Sequence, residues 1–184
     1  GNLGVRVTLH VFQTGSRRVP ELLMHAQDVF YYKYRRAVTG HFRDLPYAVQ
    51  LRKHPELLRR LRADNAPILF QGIKTTAYLP HPALAQRRRI VRVNDVQSGY
   101  YQYLQTTTEN PVSKAFYKQQ AAKLRHYEPT LALADGISAI SLRNADYFAR
   151  HNPTIEVMPL FHPFVRQAVR PGKGRYLLYY GNLA

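Results

Sequence analysis

Two short apolar segments in the first half of the chain each end in a polar turn. The segments are residues 67–70 and 89–93, and the turns that follow them are residues 71–76 and 94–99. Short β-branched runs that give way to a turn and then to a helical pattern are typical of βα units. In open α/β sheets the ligand lies beyond the carboxyl ends of the strands. We therefore expect both turns to face one site at one rim of a parallel sheet.

The composition describes a globular chain long enough for one domain. It has 184 residues, of which 45% are hydrophobic and 21% are charged, and a chain of this length can bury a substantial core. It has no cysteine, which excludes disulfides and thiolate metal sites and fits a reducing compartment. No apolar run approaches the ~20 residues of a membrane-spanning helix, and no signal-peptide pattern is visible. We therefore expect a cytoplasmic location.

The formal net charge of +16 favours anionic partners. The charge lies in separate clusters rather than in a basic tail, and one interpretation is that these clusters are simply solvated faces and element ends. The other is contact with anionic lipid at the inner face of the cell membrane, or with an anionic ligand. The residues expected to make this contact are Arg59, Arg60, Arg87 and Arg88.

Alternating apolar and polar residues, helical periodicity and turn residues predict an alternation of strands and helices. The predicted strands are residues 5–12, 29–32, 67–70, 89–93, 136–140, 155–158 and 175–180. The predicted helices are residues 21–27, 55–62, 75–79 and 97–104, a long helix opened by Asn110 and Pro111 and interrupted at Pro129, and residues 144–150. Asn110 has the residue type of an N-cap, and Pro111 suits the first turn.

Several catalytic signatures are absent from the sequence. There is no phosphate-binding G-x-x-x-x-G-K-[ST] loop and no G-x-G-x-x-G motif. Ser138 lacks the second glycine of a nucleophile elbow, so we expect it to be a buried strand residue. The eight histidines are scattered singly, and we expect no metal site. Tyrosine pairs such as Tyr100 and Tyr101 allow base stacking as a rival interpretation, but no RNA-binding strand pattern surrounds them, and we do not expect nucleic acid as the partner.

The two turns carry amides and hydroxyls rather than a set of acids and bases. The polar residues are Gln71, Lys74, Thr75, Thr76, Asn94, Asp95, Gln97 and Ser98. Such groups suit sugar hydroxyls because they offer both donors and acceptors, and Gly72 would let the backbone approach a ligand closely. An equally good interpretation is that these residues cap the helices that follow.

Four segments of the chain occur in the same order in certain bacterial glycosyltransferases. They are PILFQGIKTT at residues 67–76, RVNDVQSGYY at 92–101, ADGISAIS at 134–141 and YGNL at 180–183. On these motifs the chain resembles family 4-type glycosyltransferases with the GT-B fold. The resemblance implies an α/β fold with a Rossmann-like, mostly parallel sheet flanked by helices, forming one half of a two-domain enzyme. Residues 1–170 would be the acceptor-side domain, and 171–184 a linker and first strand of an absent donor-binding domain.

The resemblance also implies a function and a missing strand. This half would bind a glycan or lipid-linked acceptor, no cofactor is expected in it, and the nucleotide-sugar donor would bind in the absent domain. The fragment alone would be inactive. A strand would precede Val5, and a sheet without it has an unpaired edge or gap. We expect residues 175–180, or a neighbouring copy of the chain in a homo-oligomer, to cover that edge.

The sequence departs from the family pattern in both turns. Gln71 stands where the family usually has a glutamate, and Lys74 where it has a histidine. Asn94, Asp95 and Gln97 replace a His-Asn pair and a glutamate. Asp95 is the one acid left in these turns and thus the best candidate for a catalytic group. The acceptor-binding residues that the resemblance implies are Gln71, Gly72, Lys74, Thr75, Asn94, Asp95, Gln97 and Ser141. A non-catalytic relative of the family remains an alternative.

Overall fold

A computed structural model describes residues 4–16, 18–35 and 44–159 of the chain. Strands and helices alternate along it, and all strand pairs in these ranges are parallel. The chain is therefore an α/β protein with parallel sheets flanked by helices, which confirms the predicted Rossmann-like fold class. The last predicted strand, residues 175–180, and the boundary proposed at residue 170 lie outside the described ranges.

The described strands form two sheets. They are β1 (Thr8–Gln13), β2 (Asp28–Lys33), β3 (Ile68–Gln71), β4 (Arg89–Val93), β5 (Gly136–Ala139) and β6 (Ile155–Val157). The first sheet is β1-β2, and the second has the order β3-β4-β5-β6. Within the described ranges β1 and β3 each pair with one neighbour, so each has an edge without a strand beside it. The covering segment expected for such an edge, residues 175–180, is not among the described residues.

The α-helices and 3₁₀ helices lie between the strands. The α-helices are α1 (Tyr47–Gln50), α2 (Pro55–Leu61), α3 (Gln97–Thr107), α4 (Pro111–Tyr127) and α5 (Leu142–Phe148). The 3₁₀ helices are Pro20–Met24, Ile73–Tyr78, Pro82–Leu84 and Glu128–Leu133. The predicted helices over 21–27 and 75–79 are thus short 3₁₀ segments, and the second is interrupted at Thr76, where the backbone is not helical. The fifth α-helix begins two residues before the predicted 144.

The longest helix starts and stops where its sequence signals place it. The Asn110 side chain accepts hydrogen bonds from the backbone N–H groups of Val112 and Ser113, at 2.9 and 3.0 Å. These bonds satisfy donors that the first helical turn cannot pair internally. At the other end α4 gives way to a 3₁₀ helix that contains Pro129, because proline has no N–H to continue the α-helical ladder.

One hydrophobic core connects the two sheets. The buried face of α2 supplies Leu57 and Leu61, which join Tyr32 of β2 and Ile68 of β3 in a single cluster. The other face of β3 is less covered, since Leu69 is 60% exposed. Burial of apolar area stabilises the fold by about 25 cal/mol per Å², so the buried face of α2 contributes to the packing between the sheets.

Candidate functional site

The turns after β3 and β4 lie side by side at one rim of the four-stranded sheet. The two strands are parallel neighbours with Gln71 opposite Arg92, so their carboxyl ends point the same way. The Gln71 amide nitrogen donates to the Asn94 side-chain oxygen at 3.4 Å, and the Gly72 N–H donates to the Arg92 carbonyl at 2.7 Å. The two turns therefore lie together at one rim of the sheet, as the sequence predicted, and both line the same pocket.

Gly72 makes the first turn possible. Its φ of 86° and ψ of 154° fall in a backbone region that is essentially restricted to glycine. A Cβ built at this position would have no atom within 4 Å. The constraint is therefore conformational rather than steric, and the space above the glycine is open.

The two turns enclose a pocket of about 190 Å³. It is lined by Arg52, Gln71, Gly72, Ile73, Lys74, Thr75, Val93, Asn94, Asp95 and Gln97. This volume lies below the roughly 300–1,000 Å³ of typical small-molecule pockets, so the pocket has room for only a small chemical group. Seven of the eight predicted acceptor-binding residues line it, and Ser141 does not.

Ser141 caps a helix and does not line the pocket. Its hydroxyl accepts a hydrogen bond from the Asn144 backbone N–H at 3.3 Å at the start of α5. The residue that connects this region to the pocket is Asn144, whose side-chain amide donates to the Asn94 carbonyl at 2.8 Å. The sequence offered no signal for Asn144, because 50 residues separate it from Asn94.

Two hydroxyls of the turns serve the fold instead of the pocket. Thr76 is fully buried, donates to the Ile73 carbonyl at 2.7 Å and lies 3.0 Å from the Tyr127 hydroxyl. The Ser98 hydroxyl donates to Glu128 at 2.6 Å. Both side chains point into the interior and are not available to a ligand.

Asp95 and Gln97 form a pair inside the second turn. The Gln97 amide nitrogen donates to one carboxylate oxygen of Asp95. Asp95 is exposed, whereas Gln97 is only 9% exposed and its side-chain oxygen has no hydrogen-bond partner among the described residues. A buried acceptor without a donor is costly, so the Gln97 oxygen is a group that a ligand donor would satisfy.

Lys74 is a half-buried cation without a partner. Within the described ranges its ammonium has no carboxylate within 4.0 Å and no hydrogen bond. Burial lowers the pKa of Lys74; Asp95 opposes this effect and the nearby Arg52 adds to it. The pocket thus contains an incompletely compensated positive charge.

Arg52 is a pocket residue that the sequence interpretation did not select. Its guanidinium donates to the Ala48 carbonyl at 2.6 Å and to the Tyr34 hydroxyl at 3.1 Å, and lies 4.9 Å from the centre of the Tyr34 ring. These contacts use only part of its five N–H donors. In the sequence Arg52 is one member of a basic pair. Nothing in the local pattern indicates that the loop after α1 brings it to the rim of the sheet, where it lines the pocket.

Tyr34 also borders a second concavity, of about 460 Å³, beyond the carboxyl end of β1. That concavity is lined by Phe12, Gln13, Thr14, Gly15 and Tyr34. Since Arg52 stacks on Tyr34 and lines the first pocket, the two concavities are neighbours along the rims of both sheets.

The arginines predicted to contact a membrane or an anion have different environments. Arg59 and Arg60 both pair with Glu56, at 2.6 and 3.0 Å, and the hydrogen bond from Arg59 lowers the pKa of Glu56 to about 2. Arg88 is exposed.

The prediction for Arg87 is wrong, because this residue is only 7% exposed. Its guanidinium donates to the carbonyls of Leu61 and Ala66 and pairs with Asp64 at 2.8 Å. It joins the end of α2 to the start of β3 instead of facing solvent.

Among residues 4–16, 18–35 and 44–159, no group of three His, Asp or Glu side chains is placed to hold a metal ion. No helix in those ranges is long and apolar enough to cross a membrane. No protein-family model, curated protein or solved structure matches the chain. The function is therefore argued from the pocket itself.

Proposed function

We propose that this chain is the acceptor-binding half of a glycosyltransferase. The enzyme would move a sugar from a nucleotide-sugar to a glycan or a lipid-linked acceptor. The observation that carries the proposal is the pocket in which Gln71 and Asn94 meet at 3.4 Å, at the carboxyl ends of two parallel strands. This is the place where open α/β sheets bind ligands, and its amide groups match sugar hydroxyls as donors and acceptors.

The pocket favours a binding role over an acid–base role. Asp95 is the one carboxylate that lines it, and one of its oxygens already accepts from Gln97. Positioning an acceptor hydroxyl lowers a reaction barrier by restricting its motion relative to the donor. A second domain would bind the nucleotide-sugar and stabilise the leaving phosphate. Asp95 remains the candidate for a general base, through its second oxygen.

Basic surface residues would keep such an enzyme at an anionic membrane. Arg88 and Arg59 are exposed and are the best candidates for this contact, each being worth about 1 kcal/mol near an anionic surface. Flotation of the chain with anionic and neutral liposomes tests it, and a parallel titration with oligonucleotides tests the rival nucleic-acid interpretation. Oligonucleotide binding that falls steeply with salt, without liposome binding, would favour the rival.

The proposal is tested with the 184-residue chain in two assays. In a transfer assay with nucleotide-sugars and mixed glycan acceptors we expect no product from the chain alone. Product formation would contradict the proposal that a second domain binds the donor. On a glycan array we expect binding to a subset of glycans. That binding should fall at least about tenfold in a Gln71→Ala/Asn94→Ala variant, because two hydrogen-bonding groups are lost.

The matched control is an Asn65→Ala/Gln86→Ala variant, which removes the same two residue types at exposed positions outside the pocket. We expect it to bind as the unmodified chain does. Equal glycan binding by both double variants would contradict the proposed site.

A further inference from the structure

The pocket combines two cations with one carboxylate. Arg52 and Lys74 come from different segments of the chain, the loop after α1 and the turn after β3, and both line the pocket together with Asp95. Among the described residues, Lys74 has no ion pair, and Arg52 contacts a carbonyl, a hydroxyl and a ring but no carboxylate. The pocket therefore carries an excess of positive charge in a partly desolvated place, where charge interactions are stronger than in water.

The groups beside these cations complete a mixed recognition surface. Among the described residues the Gln97 side-chain oxygen is a buried acceptor without a hydrogen-bond donor, so a ligand hydroxyl would satisfy it. Gln97 also begins α3, which has no side-chain cap at its first turn, and uncapped N–H groups of a helix start favour an anion. The two cations, Lys74 and Arg52, favour the binding of an oxyanion. Neutral amides alone would not favour an anion over a neutral ligand.

We propose that the pocket binds a sugar carrying an oxyanion, a phosphate or a carboxylate, with Lys74 and Arg52 contacting the oxyanion and Gln97 accepting from a neighbouring hydroxyl. This inference rests on the proposed function in that it names the acceptor as an acidic sugar. The shared chemistry of phosphate and carboxylate is a planar or tetrahedral set of anionic oxygens that accepts several N–H donors.

The lowered pKa of Lys74 agrees with this assignment. Burial and the neighbouring Arg52 both disfavour its charged form, and Asp95 only partly offsets them. An anion placed between the two cations would remove that penalty.

The test is isothermal titration calorimetry of the 184-residue chain at low salt. The ligands are glucose 6-phosphate, glucuronate, glucose and inorganic phosphate, and the variants are Lys74→Gln, Lys74→Arg and Arg52→Gln. Lys53→Gln is the matched control, since it removes an exposed charge next to Arg52 in the chain. Circular dichroism of each variant establishes that it is folded, because Arg52 also contacts Ala48 and Tyr34.

We expect the two acidic sugars, or one of them, to bind at least about tenfold more tightly than glucose. The preference should be lost in Lys74→Gln and largely kept in Lys74→Arg and Lys53→Gln, and it should weaken with added salt. Preference for glucose 6-phosphate or for glucuronate identifies the oxyanion as phosphate or carboxylate.

Other outcomes separate this inference from the proposed function. Glucose binding as tight as that of the acidic sugars, unaffected by Lys74→Gln, would overturn the oxyanion assignment and leave glycan binding standing. Inorganic phosphate binding as tight as glucose 6-phosphate would support the oxyanion contact but contradict a sugar site, and with it the proposed function. Absence of binding by all four ligands would overturn the inference.

Discussion

Glu128 is a buried carboxylate that connects three helical elements beneath the candidate site. It is 2% exposed, accepts from the Ser98 hydroxyl at 2.6 Å and from the Tyr147 hydroxyl at 2.8 Å, and lies 3.6 Å from the His151 ring nitrogen. Ser98 belongs to α3 and Tyr147 to α5, so the carboxylate fixes both helices relative to the end of α4. We expect its removal to lower the free energy of unfolding strongly.

The size of the effect follows from the contacts. A hydrogen bond to a charged group contributes about 1.5–3 kcal/mol, and each buried hydroxyl left without a partner adds a further cost. Glu128→Ala removes two such bonds and leaves the Ser98 and Tyr147 hydroxyls with only their long contact to each other, at 3.4 Å, so we expect a loss of about 3–5 kcal/mol. Glu128→Gln keeps the shape and one acceptor oxygen, and we expect a loss of about 1–3 kcal/mol.

Urea denaturation followed by circular dichroism measures these values, with Glu109→Ala as the control at an exposed position of the same residue type. The control should stay within about 0.5 kcal/mol of the unmodified chain. A double-mutant cycle of Glu128→Gln and Tyr147→Phe isolates the pair, and we expect a coupling of about 1–3 kcal/mol. A loss below about 1 kcal/mol for Glu128→Ala, or a coupling near zero, would refute the assignment of this network as a stabilising one.

Two further predictions concern the first turn and the core. Gly72→Ala should lower the free energy of unfolding by about 1–3 kcal/mol, because alanine is strained in the backbone conformation of Gly72. Gly99→Ala, inside α3, should raise it by up to about 1 kcal/mol. Equal effects of the two substitutions in urea denaturation would contradict this prediction. Burial raises the pKa of Tyr32 to about 12, so its contribution to stability is complete below pH 10 and is lost as the pH rises through about 12. Tyr32→Phe should remove that part of the alkaline decline in the urea midpoint, and an unchanged decline would contradict it.

The sequence was sufficient for the features that depend on local pattern. The strand ends at Gln71 and Val93 could be placed because each apolar run stops at a polar turn, and parallel pairing then follows from the helical segments between the runs. The cap at Asn110 and the break at Pro129 depend on residue types with one dominant local effect. The joint rim of the sheet was predicted for the same reason.

Features that depend on distant contacts could not be predicted. Arg87 and Arg88 are identical in local pattern, yet Arg87 is buried because the backbone carbonyls of Leu61 and Ala66 converge on it. Arg52 reaches the pocket only because α1 and the loop after it pack near the turn that follows β3. No local signal distinguishes such residues from neighbours of the same type, since their roles are decided by residues 18 to 26 positions away.

The hydrogen bonds among the polar groups of the pocket determine which of those groups can bind a ligand. Gln71 donates to Asn94, and Gln97 donates to Asp95, so most amides are already held in fixed orientations. The groups left for a ligand include the Lys74 ammonium, the remaining donors of Arg52, the Gln97 oxygen, the Gln71 side-chain oxygen and the Asn94 amide nitrogen. A set of this kind recognises charge and a hydroxyl in defined positions, and it does so without reorganising when the ligand arrives. A pocket lined by amides, two cations and one carboxylate among the described residues therefore suits preorganised binding better than proton transfer.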